Sequence, residues 1–189
     1  MKKIVLYICW ILISLPAAAQ LCTGSLGDPS VLITFGTGTS SNSGVAGNNY
    51  SFVSKDCPND GSYTIRSTTS SCFGGSWHNI SEDHTPGDVN GNFMLVNASY
   101  TPGVFYLDTV GGLCEGTTYE FATWMVNVLK SSACGGTGIQ PNLSFSIETT
   151  SGTVLATYNS GNIPSTSTPI WKQYGLYFTT PPGVSRVVI

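Results

Sequence analysis

The chain has 189 residues, of which 9% are charged and 11% aromatic, and its formal net charge is −3. A length of this order suits one domain with a core of its own. With no basic patch it is a poor partner for nucleic acid or anionic lipid, and so many aromatic rings argue against disorder.

Residues 1–19 read as a signal peptide. Lys2 and Lys3 open it, Ile4 to Leu15 form the apolar run, and Ala17-Ala18-Ala19 offers a small-residue cleavage site before Gln20. The run is too short to span a bilayer, so the expectation is an exported protein, secreted or at the cell surface, with no membrane insertion. Leu21 stands where a lipidation signal at Cys22 would need a small residue. After cleavage five bases face ten acids, a net charge of −5. Five cysteines remain: Cys22, Cys57, Cys72, Cys114 and Cys134. Export favours disulfides, and an odd number leaves one cysteine without a partner in this sequence. Cys57 and Cys72 flank a predicted strand and are the preferred pair; Cys114 with Cys134 is a second pairing across a longer strand. Zinc is the weaker reading, because no CxxC spacing exists and there are only two histidines.

Residues 20–30 are a lead-in with a turn signal at Gly27-Asp28-Pro29, and residues 31–189 form the domain. Val31 to Phe35 is a β-branched run and a predicted first strand. A Gly/Ser/Thr/Asn loop over residues 36–49 leads to a short strand at Tyr50 to Val53. Cys57-Pro58-Asn59-Asp60-Gly61 turns the chain into Ser62 to Ser67, which alternates like a half-buried strand. Phe93 to Asn97 and Val104 to Val110 are predicted strands on either side of Thr101-Pro102-Gly103. Thr118 to Leu129 is the longest. In it Tyr119, Phe121 and Met125 face one way, and Ala122, Trp124, Val126 and Val128 the other. Two apolar faces place it in the middle of the fold. Leu143, Phe145 and Ile147 alternate with Ser144, Ser146 and Glu148, which leaves one face of that strand to solvent. Val154 to Tyr158 and Trp171 to Thr179 follow, and Val184 to Ile189 has a strand pattern that stops without a turn. That ending predicts further strand, with another cysteine, beyond Ile189. About ten strands, no helix and a turn signal every 8–12 residues or so spell an all-β sandwich.

The stretch Trp77 to Tyr100 is where these elements converge on chemistry. An aromatic anchor precedes a loop holding Glu82, Asp83, Asp88, Asn90 and Asn92 around Pro86, Gly87 and Gly91, and the loop enters a strand at Phe93. Acids and amides crowded into one loop support an ion-clamped turn beside a ligand surface; they equally support a turn in which Asp and Asn cap their own backbone.

Catalysis needs a nucleophile with a base, or two carboxylates at a working separation. Neither a GxSxG elbow nor HExxH nor a P-loop is present, and Gly74-Gly75-Ser76-Trp77-His78 lacks the second glycine of an elbow. Asp108, Glu115, Glu120 and Glu148 are scattered over separate strands and turns, so a polysaccharide-active enzyme is the third reading. Binding is better supported. Sugar recognition sets flat aromatic faces against C–H surfaces, flanked by amide and carboxylate hydrogen bonds. The candidate platforms are Trp77, Tyr100, Tyr106 and Trp171, with His78, Asn79 and Asn127 as polar partners. Trp77 is expected to be exposed because it lies among loop residues, whereas Trp124 belongs to the core.

The segments GDPSVLITFGTG, DCPNDGSYTI, NGNFMLVNAS, LCEGTTYEFATWMVN, PNLSFSIETTSGT and WKQYGLYFT, in that order, resemble the jelly-roll modules of large exported Bacteroidota proteins associated with gliding motility and type IX secretion. The Asp83-His84-Thr85 and Asn90-Gly91-Asn92-Phe93-Met94 elements resemble MAM-type and carbohydrate-binding jelly rolls. The resemblance implies a non-catalytic adhesion or glycan-binding module at the cell surface, with a structural spacer as the alternative. It also implies a structural calcium at Asp83, with Asp88, Asn90 and Asp28 as further ligands. Such relatives carry an acid directly after the first strand's Phe, where this chain has Gly36.

Overall fold

A computed structural model describes residues 29–38, 44–45, 49–85 and 87–189. The regular structure among them is nine strands: β1 (Ser51–Phe52), β2 (Ser62–Arg66), β3 (Phe93–Asn97), β4 (Thr109–Gly111), β5 (Thr118–Met125), β6 (Asn142–Thr149), β7 (Val154–Asn162), β8 (Lys172–Thr179) and β9 (Arg186–Val188). The helical pieces are single turns at Cys72–Gly75 and Ala133–Gly136, each broken by residues at positive φ. The protein is therefore all-β, with several sheets, as a β-sandwich requires. Among the described residues no helix is long and apolar enough to cross a membrane. The signal peptide, Cys22 and Asp28 lie outside the described residues.

Three sheets form. β2 pairs antiparallel with β3 and parallel with the short β1. A four-stranded antiparallel sheet runs in the order β4-β9-β6-β7. β5 and β8 make an antiparallel ribbon whose ladder runs without interruption from Thr118↔Thr179 to Met125↔Lys172.

Alternation decides what lies between these layers. Tyr119 and Phe121 of β5 and Leu176 and Phe178 of β8 point inward and meet Ile147 of β6 and Val187 of β9 in one apolar cluster. Ile147 has no exposed surface, which alone stabilises the fold by about 1.5–3 kcal/mol relative to a wet side chain. Ser144, on the opposite face of β6, is exposed, as its alternation predicts. A second cluster gathers Cys72, Trp77, Ile80, Phe93 and Leu95, with Val126, Val128 and Trp171 packed against it. The Cys57–Cys72 disulfide, expected from the sequence, closes the edge of this second cluster.

Several expectations need correction. Val31 to Phe35 forms no strand, and Val31, Leu32 and Ile33 are exposed. A β-branched run needs a partner edge, and antiparallel pairing begins only at Gly36–Gly38, against 90–92. Within the expected Val104 to Val110 strand, only Thr109 and Val110 join the ladder; Phe105 and Tyr106 instead make edge contacts with Tyr50 and Phe35. The long strand stops at Met125, because Asn127 turns the backbone: its Oδ1 accepts the Leu129 N–H while its Nδ2 donates to the Ile163 carbonyl. β5 is not central either. It pairs with β8 alone, and its second face is open. Finally, Cys114 and Cys134 do not pair: Cys134 is a free, exposed thiol on a turn at positive φ. Cys114 is itself disulfide-bonded, to a cysteine other than Cys134.

Candidate functional site

Trp77 enters the structure through a knot of backbone bonds. The disulfide and the turn at Cys72–Gly75 bring residues 76–78 antiparallel to 128–130, where Lys130 N–H donates to the Ser76 carbonyl and His78 N–H to the Val128 carbonyl. The indole that results is 6% exposed, with the Phe73 ring 4.9 Å away. A ring closed in on this scale presents no platform, so the expectation of an exposed Trp77 is corrected. His78 is buried too, its Nε2 3.0 Å from the Thr166 carbonyl oxygen. A carbonyl only accepts, so this nitrogen carries the proton. Asn127, also buried, is spent on backbone groups.

The other predicted ligand residues divide. Asn79 and Trp171 line a shallow cleft of about 200 Å³ together with Ile80, Ser81, Glu82 and Pro169. Tyr100 is 86% exposed in the turn after β3; no hydrogen bond or ring contact ties it to that cleft. The Tyr106 hydroxyl donates to Asp108 Oδ2 at 3.2 Å. Burial, and then the Asp108 charge and hydrogen bond, push the phenol up to about 12. A larger cleft of about 440 Å³ between 113–117 and 183–185 has no aromatic lining, and its Glu115 carboxylate is held by the Gly183 N–H.

An aromatic face does exist, on the side of the β5–β8 ribbon turned away from the core. Opposed residues share a face in an antiparallel pair, so Thr118/Thr179, Glu120/Tyr177, Ala122/Gly175 and Trp124/Gln173 form four outward rungs. Trp124 is 42% and Tyr177 66% exposed, which overturns the assignment of Trp124 to the core. Trp124 lies four residues from Glu120, the partner of Tyr177, about 14 Å along the strand at ~3.4 Å per residue. The rung between them is nearly bare: Ala122 is small, and a side chain at Gly175 would collide with the Phe121 carbonyl oxygen. Two rings thus bound a flat, open floor, with Glu120, Gln173 and the hydrogen-bonded Thr118 and Thr179 hydroxyls as polar groups. At one end His84 stacks on Trp124, centroids 3.7 Å apart and planes 14° from parallel, and meets Trp171 edge-on at 6.0 Å.

The acid-rich loop lies behind that end. Asn92 N–H donates to the Gly36 carbonyl, and the Thr37↔Gly91 bridge aligns 36–38 with 90–92. The Asp83 carboxylate packs so tightly on Gly91 that a Cβ there would stand 2.5 Å from Oδ1. Asn92 is 4% exposed, and its Nδ2 donates to the Phe35 carbonyl. Asp83 Oδ1 and Asn92 Oδ1 are the two buried side-chain atoms among the described residues that lack a hydrogen-bond partner. Each orphaned acceptor costs about 1–3 kcal/mol unless something binds it. A carboxylate and an amide oxygen suit a hard cation such as calcium. Among the described residues no group of three or more His, Cys, Asp and Glu side chains is placed to hold a metal ion. Of the other predicted ligands, Asp88 N–H closes a turn on the Thr85 carbonyl. Asn90 is exposed at positive φ, its carbonyl accepting the Gly38 N–H.

Sequence reasoning missed Trp124, Tyr177 and Gln173 as site residues, and named Asn92 only as one of the oxygen-bearing residues of the acid-rich loop. The period-two pattern of β5 and β8 carried a signal for Trp124, Gln173 and Tyr177, but it does not say which face is wet. No family model, characterised protein or solved structure matches the chain.

Proposed function

We propose that the chain is a non-catalytic adhesion or carbohydrate-binding module of a secreted or cell-surface bacterial protein. In this reading it is built as a jelly-roll β-sandwich and carries a structural calcium in the Asp83 loop. What supports it is the outer face of the β5–β8 ribbon, where Trp124 and Tyr177 stand exposed at the two ends of a flat floor. Pyranose rings offer C–H faces that stack on indole and phenol, and their hydroxyls suit Glu120 and Gln173 as acceptor and mixed partner. The span between the two aromatic residues favours a short run of sugars over a single one. Among the residues of β5 and β8, Glu120 is the only carboxylate, so this face has no acid pair of the kind glycoside hydrolysis uses.

The test is a polysaccharide panel titrated against the full chain, followed by intrinsic fluorescence and calorimetry. Binding that falls at least tenfold in both Trp124→Ala and Tyr177→Ala, with Tyr100→Ala unchanged, supports the reading. No binding to any glycan would leave the spacer role, and product release from the panel would revive an enzyme.

A further inference from the structure

Glu120 is the one charged side chain on the outer face of the β5–β8 ribbon. It stands exposed opposite Tyr177, and Thr118, Ala122, Gly175 and Thr179 surround that rung without a charge to neutralise it. Among the described residues Glu120 has neither a hydrogen bond nor an ion pair; the ion pair there joins Arg66 to Asp56. Lys172, the cation of the ribbon, lies opposite Met125 on an inward rung at the far end. Five residues separate it from Tyr177, about 17 Å at ~3.4 Å per residue. That is beyond the ~8–10 Å over which exposed charges stay coupled in ordinary salt.

We propose that the ligand of this face is a glycan of amino sugars whose free amines carry positive charge, and that Glu120 is the residue that selects it. The inference rests on the ligand-binding reading of the ribbon. Tyr177 opposes Glu120 across the antiparallel pair, where side chains start about 4.5–5.5 Å apart. An ammonium seated there meets a charged hydrogen-bond acceptor on one side and the negative face of a phenol ring on the other. Trp124, about 14 Å further along the strand, takes the C–H face of another sugar in the same chain. This combination separates ligand classes. A neutral hydroxyl is a weaker donor to Glu120 than an ammonium. A uronate or sulfate brings a second negative charge to a face with no cation on it. A lysine-rich peptide supplies the positive charge but no flat C–H surface for the indole. An amino sugar carries both on one rigid ring. Over residues 20–189 five bases stand against ten acids, a net charge of −5, and that field draws a cationic chain toward the protein before contact.

The experiment titrates three oligomers of equal length against the full chain by calorimetry: β-linked glucosamine with its amines protonated, the same oligomer N-acetylated, and an oligouronate. The glucosamine oligomer should bind roughly five- to tenfold tighter than its N-acetylated form, and the gap should shrink as salt rises from about 0.01 to about 0.5 M. The oligouronate should bind weakest. Glu120→Gln, which keeps the shape of an exposed side chain, should bring the first two affinities together at an unchanged melting temperature. Equal affinities in the native chain, or a gap that survives Glu120→Gln, overturn the selection by charge and leave the ligand face standing. An oligouronate that binds as tightly as glucosamine does the same. Oligolysine that binds as tightly as the glucosamine oligomer overturns the amino-sugar assignment in favour of a peptide partner. No binding of these three oligomers, while another glycan of the panel binds, defeats the amino-sugar class alone; a panel without any binder defeats the ligand reading itself.

Discussion

Trp77 and Trp124 have exchanged the places that their neighbours in the chain suggest. Trp77 is surrounded by Gly, Ser, His and Asn, yet it sits in a closed cluster with Cys72, Ile80, Phe93 and Leu95. Trp124 lies in the longest predicted strand and stands open beside Gln173. The difference lies in partners. Residues 76–78 gain a backbone neighbour at 128–130 and a covalent anchor at Cys72, so the segment is drawn in. β5 gains one neighbour, β8, and the layer that would cover its second face is absent among the described residues. Local polarity is a poor guide to burial where a disulfide gathers the loop, and apolar content is a poor guide where one sheet face has nothing packed on it.

The sharpest way to break this contrast is to truncate the buried ring. Trp77→Ala should cost about 3–5 kcal/mol, the range for removing a large aromatic from a packed core. At about 2–4 °C per kcal/mol for a chain of this size, the melting temperature should fall by roughly 6 °C or more in a calorimetric scan. A loss below about 1 kcal/mol would mean that the ring is far wetter than its 6% exposure indicates.

Next in size is the link that pulls the segment in. Replacing both Cys57 and Cys72 with Ala removes a cross-link between residues 15 apart in sequence, worth about 3 kcal/mol by loop-closure entropy. Denaturant unfolding of the double variant should show that loss, and quenching by acrylamide should show Trp77 becoming more accessible. Unchanged quenching would move the cause of Trp77 burial from the disulfide to the backbone pairing with 128–130.

The legible part of the fold was whatever depends on alternation and turns alone. β2, β3, β6 and β8 fall within a residue or two of their predicted bounds, and the Cys57–Cys72 pair follows from their spacing around β2. The illegible part depends on who sits alongside. Val31 to Phe35 has strand propensity and no ladder. Thr118 to Leu129 has one pattern throughout, but Asn127 captures two backbone groups and ends the strand early. The site divides in the same way. Asp83 stood out as an acid in an oxygen-rich loop, whereas Asn92 is set apart from the loop's other amides only by an orphaned, buried oxygen that shows in three dimensions. Which face of the β5–β8 ribbon is wet depends on the cluster around Ile147 filling the other.

The smallest expected change in stability belongs to the exposed ring, and it completes the comparison. Trp124→Ala removes a side chain that keeps 42% of its surface in water and one stacked neighbour, His84. Such an aromatic pair contributes about 0.5–1.5 kcal/mol beyond its area, and the part of the ring already in water contributes nothing, so the loss should stay below that of Trp77→Ala. The same scan, run on both variants, reads the ratio directly. If instead the two losses are equal, the outer face of the ribbon is covered in solution, and Trp124 is a packing residue rather than a surface on which a ligand can settle.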